Sequence, residues 1–260
     1  MQFDFGKNWE DYSKNALTLE KVSKSKEHFL KLLEGIEIKS KSFLDIGFGQ
    51  GLGILSAKSE GAFVIGCDIN PKCAEVLKLN SPLFNIKPEE MPVVVGSILD
   101  PDVVQKIEHI NSGKFDVVHS WGVLHHTGKM KSAIKNAASL VKPNGYFVIA
   151  IYNRHWSSLL WLFIKWFYCK SPVFLQKIMI KIFYPIIYLA KWIVTGQNPK
   201  NQLRGMDFFY DVIDWVGGYP YEYASTNEIN LYVENLGFKS IKTVTAQVPT
   251  GCNEFVFRRN

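Results

Sequence analysis

The chain has 260 residues, of which 47% are apolar, 14% aromatic and 21% charged. That is enough to bury one substantial core with a large insertion, and it excludes a disordered chain or three separate domains. The net charge of +6 is concentrated: no acid occurs between Asp116 and Asp207, where twelve of the 30 Lys and Arg lie, leaving 18 basic against 24 acidic residues elsewhere. Such a local basic field is expected to attract an anionic partner.

In chain order, the opening segment MQFDFGKNWEDYSK is polar and lacks an apolar core, so no secretory signal is expected. Thr18 opens a helical pattern through Leu19, Val22, Phe29, Leu30 and Leu33 that stops at Gly35. Apolar runs then alternate with helical segments. SFLDIG (42–47), FVIGCDI (63–69), MPVVVG (91–96), FDVVHSW (115–121) and GYFVIAIY (145–152) read as strands, and the first four are each followed by a helix. Strands this rich in Val and Ile, each followed by a helix, predict an α/β fold with a parallel sheet covered on both faces.

The alternation breaks at Arg154. Residues 156–196 are aromatic and aliphatic with interspersed lysines, predicting two helices broken near Pro172. Ser225 with Glu228 forms a capping box that starts a further helix, and FKSIKTVTA and NEFVFR are close enough to pair antiparallel. The expected organisation is a core over 1–153, a helical cap over 154–222, and a C-terminal segment over 223–260 that completes the core sheet. No run of 18 uncharged apolar residues occurs, so no conventional transmembrane helix is expected. Cys67, Cys73, Cys169 and Cys252 make no zinc-like spacing, which predicts reduced thiols in the cytoplasm and no metal.

Asp45-Ile46-Gly47-Phe48-Gly49-Gln50-Gly51 lies where the first strand meets the first helix. Glycines there let backbone N–H groups approach a ligand at a helix N-terminus. Asp68, 19 residues after Gly49, ends the second strand, placed to bind ribose hydroxyls, with Ile69 beside it. An acid two residues before a G-x-G-x-G turn resembles motif I of the class I S-adenosylmethionine (SAM)-dependent methyltransferases. Gly96-Ser97-Ile98-Leu99-Asp100, FDVVHSWGVLHHTG (115–128) and LVKPNGYFVIAIYN (140–153) are similar to that family's later motifs, in order. The resemblance implies a Rossmann-like sheet of seven strands in the order 3-2-1-4-5-7-6, with strand 7 antiparallel, and SAM as cofactor. It also implies that Asp45, Gly47, Gly49, Gly51, Asp68, Ile69, Ser97, Ile98, Ser120 and Trp121 surround the cofactor; Trp9 and Tyr12, from the N-terminal segment, are expected to close over it. FGKNW, RGMDFF…DWVGGYPYE (204–222) and GCNEFVF (251–257) resemble bacterial O-methyltransferases related to the ubiquinone-biosynthesis type, often found among surface-polysaccharide genes. That implies O-methylation of a small acceptor of the sugar phosphate, nucleotide sugar or phosphoramidate kind, with a quinol or polyprenyl lipid as the alternative.

An acceptor hydroxyl must lose a proton, which calls for a positioned base. His125 and His126 follow the fourth strand at the ligand-binding edge and titrate near neutrality; Glu222, beyond the turn at Gly217–Pro220, is a third candidate. Tyr152, Asn153 and Arg154 leave the fifth strand at the same edge and, with Arg204 and Asp211, are expected to bind the acceptor. Asp207, Asp211 and Asp214 share one face if that stretch is helical. Lys177, Lys181, Tyr184, Tyr188 and Lys191 form a polar stripe on an otherwise apolar helix. Its surplus apolar surface predicts packing in a core or a homodimer, with peripheral contact at the inner membrane face as the alternative. No RNA-binding motif or Arg-rich tail is present, so nucleic acid is not an expected partner. The rival to an enzyme is a non-catalytic protein of the same fold.

Overall fold

The computed structural model describes residues 2–201 and 205–260. A seven-stranded sheet forms the centre, ordered β3-β2-β1-β4-β5-β7-β6. Its strands are β1 (Ser42–Ile46), β2 (Phe63–Asp68), β3 (Val93–Val95), β4 (Phe115–Trp121), β5 (Val141–Tyr152), β6 (Phe238–Val244) and β7 (Cys252–Arg259). The first five run parallel, and β7 enters antiparallel between β5 and β6, as the sequence implied. Strand β5 starts at Val141, four residues before the apolar run GYFVIAIY, with an irregularity against β4 between Phe115 and Val117.

The described residues form ten α-helices: α1 (Phe5–Asn15), α2 (Leu19–Leu32), α3 (Leu52–Ser59), α4 (Pro71–Asn80), α5 (Pro101–Ile110), α6 (Met130–Ser139), α7 (Ser158–Lys170), α8 (Val173–Thr195), α9 (Phe208–Gly217) and α10 (Thr226–Glu234). One apolar cluster packs α6, α10 and the β4–β5–β7 centre, including Phe115, Phe147, Phe255 and Phe257. A second packs α2, α3 and α4 on the other face around Phe43, Ile54 and Leu77. Thr18 caps α2 by accepting from Lys21 N–H, and Ser225 and Glu228 complete their capping box at α10.

Helices α7, α8 and α9 stand off the sheet with a small core of their own around Tyr168, Met179, Phe208 and Val212. The chain leaves and re-enters the sheet at one place: Asn153 bridges Ala224, and Ala224 N–H donates to Tyr152 O at 3.0 Å. Helix α1 is an addition to the sequence reading. Asp4 caps it, and Tyr12 is fully buried with its hydroxyl donating to Gly205 O, so tertiary contacts rather than apolar periodicity hold it.

Two expectations for the cap are corrected. The polar stripe on α8 divides: Tyr184 and Tyr188 pack on Phe208, Lys191 binds Asp211 at 2.7 Å, and only Lys177 and Lys181 face solvent. Helix α8 is also long and apolar enough to cross a membrane. Its lysines interrupt an uncharged run without making the helix polar.

Candidate active site

Strands β1, β2, β4 and β5 end at the same sheet edge, where parallel α/β sheets bind ligands. A cavity of about 1100 Å³ lies there, roofed by α1 and the cap. That exceeds what one small ligand usually fills, so cofactor and acceptor both have room.

The floor is the turn after β1. Gly47 and Gly49 have φ of +71° and +54°, a region that side chains rarely adopt. A Cβ on Gly49 would lie 2.9 Å from Trp9 Nε1, and one on Gly47 would collide with Val123. Asp68 is buried; its Oδ2 accepts from Gly49 N–H at 3.0 Å and its Oδ1 from Asn70 N–H at 2.9 Å. Burial raises its pKa, opposed by those hydrogen bonds. Each carboxylate oxygen has a second lone pair, so the ribose-binding role fits the geometry. Asp45, also buried, meets His119 Nδ1 at 2.7 Å, because β1 and β4 set these two residues side by side.

Of the expected cofactor residues, Asp45, Gly47, Gly49, Asp68, Ile69, Ser97, Ile98, Trp121 and Trp9 line the cavity. Gly51 and Ser120 stand behind it. Gly51 is the left-handed N-cap of α3 and packs on Leu77, and Ser120 is fully buried with its hydroxyl on Ile46 O. Tyr12 lies deeper still, as above.

The expected bases fare differently. His125 is fully buried outside the lining, accepting from Tyr152 N–H at 3.3 Å through Nδ1; desolvation first, then His126 and Lys165, push its pKa far down. His126 reaches the cavity, but its Nδ1 is held by Pro220 O at 2.6 Å. Burial, reinforced by the Lys165 charge, lowers its pKa to about 3. A group so weakly basic gathers few protons at neutral pH. The Glu222 carboxylate accepts from Met130 N–H at 2.9 Å, the start of α6, away from the cavity. Of the three, only His126 lines the cavity.

Among the acceptor candidates, Tyr152 and Asp211 line the cavity; Asn153 and Arg154 do not. Asn153 donates to Pro249 O at 2.9 Å. Arg154 faces solvent and grips Glu228 at 2.8 and 3.0 Å. Arg204 lies outside the described residues. Sequence reasoning did not single out the remaining wall: His119, Trp161 of α7, and Trp215 with Asp214 of α9. Asp214 was noted only as one of a row of acids. Behind that wall Lys165 is buried among Tyr152, Trp215 and Tyr221, its ammonium donating to Trp215 O; burial lowers its pKa to about 8.

The lining holds five aspartates, Asp4, Asp45, Asp68, Asp211 and Asp214, against Lys72 and Lys191 and no arginine among the described residues. On the lining acids thus outnumber bases among the described residues, although the chain as a whole is basic.

This sheet order, glycine turn and ribose-placed acid define an α/β nucleotide-binding fold of the methyltransferase type. Residues 19–183 match a family described as a methyltransferase domain, and the chain belongs to it, within the class I SAM-dependent methyltransferases. It is 28% identical over 128 residues to the ubiquinone biosynthesis O-methyltransferase of Marinobacter nauticus, covering 49% of this chain and 50% of that one. With the same enzyme of Bordetella avium it shares 24% over 156 residues, 60% and 61% of the two chains. The matches span about half the length of these curated relatives. Among solved structures, a SAM-dependent methyltransferase from Anabaena variabilis superposes with TM-score 0.60 at 13% identity, over 100% of this chain and 98% of that one. Magnesium protoporphyrin IX methyltransferase from Synechocystis, with bound S-adenosylhomocysteine, gives 0.55 at 15%, over 93% and 83%. At such identities the superpositions speak to the fold alone.

Proposed function

We propose that the protein transfers a methyl group from SAM to a hydroxyl oxygen of a small, largely apolar acceptor held in the cap-side half of the cavity. SAM supplies a methyl group on a positively charged sulfur. Asp68 binds its ribose, the Gly47–Gly49 backbone approaches it closely, and Ser97, Ile98 and Ile69 flank the adenine. The acidic lining favours a cationic cofactor.

The acidic lining is also the observation that selects the acceptor. A sugar phosphate, nucleotide sugar or phosphoramidate would bring negative charge against Asp211 and Asp214. Of the cations in the acid-free span, Lys191 alone among the described residues lines the cavity, and it is already bound to Asp211. A neutral hydroxylated ring fits Trp161, Trp215 and Tyr152, whose faces and edges suit aromatic packing. This agrees with the names of the relatives, ubiquinone biosynthesis O-methyltransferases. A glycan acceptor remains within this reading as a neutral saccharide.

Asp214 is the base in this scheme. Its carboxylate lines the acceptor half of the cavity and lies within the field of the buried Lys165 ammonium behind the wall. Transfer from methyl-labelled SAM to a simple catechol, beside glucose 6-phosphate, tests the reading. The catechol should be methylated and the sugar phosphate spared, with kcat for the catechol falling about 10²- to 10⁴-fold in Asp214→Asn while SAM affinity holds. Methylation of the sugar phosphate alone would overturn the acceptor class; an unaffected Asp214→Asn would move the base elsewhere.

A further inference from the structure

Helix α8 is apolar on two opposite sides. Ile187, Ala190, Lys191 and Val194 recur at helical spacing and line the cavity. Phe174, Ile178, Ile182, Ile186, Leu189 and Ile193 make a second stripe, each 46–81% exposed. Helix α7 adds Leu159, Leu160 and Phe163 at 57–70%, with Trp156 just before it at 84%. Water-soluble monomers seldom leave so many large apolar side chains together in solvent.

The charge carried by α7 and α8 themselves has one sign. Lys177 and Lys181 are exposed, three residues after Phe174 and Ile178 respectively, Lys170 is exposed at the end of α7, and residues 158–195 contain no acid. We propose that the α7–α8 face docks on the surface of an anionic lipid bilayer, its aliphatic and aromatic side chains entering the acyl boundary and its lysines meeting the headgroups. A second copy of this chain fits less well. A two-fold contact would place this face against itself, with its lysines opposed and no acid on either helix to pair with them.

Helix α8 lies along the bilayer and does not span it. Its other flank is held to the protein by Met179 and Ile180, which pack with Tyr168 and Val212, and by the Lys191–Asp211 pair. Because its inner stripe lines the cavity, the C-terminal half of α8 has the cavity on one side and the proposed membrane face on the other, and Val194 of the inner stripe is itself 53% exposed. An apolar acceptor then reaches the cavity from the bilayer without crossing water. That last step rests on the proposed function; the docking does not.

Flotation of the whole protein with vesicles, without SAM or acceptor, tests the docking. The protein should float with phosphatidylcholine–phosphatidylserine vesicles and weakly or not at all with pure phosphatidylcholine. Added salt should weaken the binding. Lys177→Glu with Lys181→Glu should weaken it by at least about fivefold per lysine. Ile182→Glu with Ile186→Glu should abolish it while calorimetric SAM binding, which reports the fold, is retained. A wild-type protein that stays with the unbound fraction on anionic vesicles overturns the proposal. So does light scattering that shows a dimer which the Ile182→Glu, Ile186→Glu variant converts to monomer, because the face is then a self-interface. Loss of catechol methylation with flotation intact would sink the proposed function and leave the docking standing.

Discussion

Gly49 is one of the positions at the cavity floor where a side chain is poorly tolerated. Its left-handed φ and the 2.9 Å approach of a Cβ to Trp9 Nε1 mean that Gly49→Val must both strain the backbone and displace the Trp9 ring that lines the cavity. SAM affinity should drop below calorimetric detection, with a fall in thermal midpoint consistent with about 1–3 kcal/mol of strain. Near-wild-type affinity would place the cofactor away from this turn. At this scale, the residues legible in the sequence were those tied to the turn's own spacing, Gly47, Gly49 and Asp68. His119 was hidden because a histidine within a strand gains meaning only from register, here the pairing of β1 with β4 that sets it against Asp45. The neighbouring pair His125–His126 misled for a related reason. Adjacent residues in a short turn face different ways, and here one is fully buried while the other reaches the cavity.

Elements explain what the motifs leave out. The C-terminal helix α10 was legible through its capping box, but its partner was not: Arg154, expected in the acceptor pocket, instead binds Glu228, N3 of that helix. The Arg154 hydrogen bond and then the Ser225 N–H hold the Glu228 carboxyl down from 4.5 to about 2. The folded protein therefore favours the ionised form more than the unfolded chain does. The resulting stability is full above about pH 4.5 and is lost as pH falls through about 2. Glu228→Gln should cost about 0.5–1 kcal/mol at neutral pH, a small figure because the pair is half exposed and screened by solvent. Denaturant titrations of both proteins should show that difference shrinking steadily below pH 4.5; a constant gap from pH 7 to pH 3 would show that Glu228 ionisation is not its source. Helix α1 was not legible because FGKNWEDYSKN is mostly polar; its few inward contacts, Tyr12 above all, depend on where the cap segment passes.

Over the whole molecule, the alternation of strands and helices disclosed the sheet, because buried parallel strands and their covering helices leave distinct periodicities. The electrostatics did not follow from the same reading. Twelve cations in an acid-free span suggested an anion-binding pocket, yet folding sends most of them to the exterior and turns Asp211 and Asp214 inward on α9. Charge counted along a segment does not say which face of a helix carries it. The chain therefore carries most of its excess cations outside while acids outnumber bases on the cavity lining among the described residues, the contrast on which both proposals rest.

That the cavity above β1 and β2 binds SAM is the claim on which everything else depends, and calorimetric titration of SAM into the wild-type protein and Asp68→Ala tests it most directly. The wild type should bind one equivalent, and the variant, still folded, should bind about tenfold to a hundredfold more weakly, the loss of a charge-assisted contact worth about 1.5–3 kcal/mol. A folded wild-type protein that releases no heat with SAM, or an Asp68→Ala variant that binds as tightly as wild type, would contradict it.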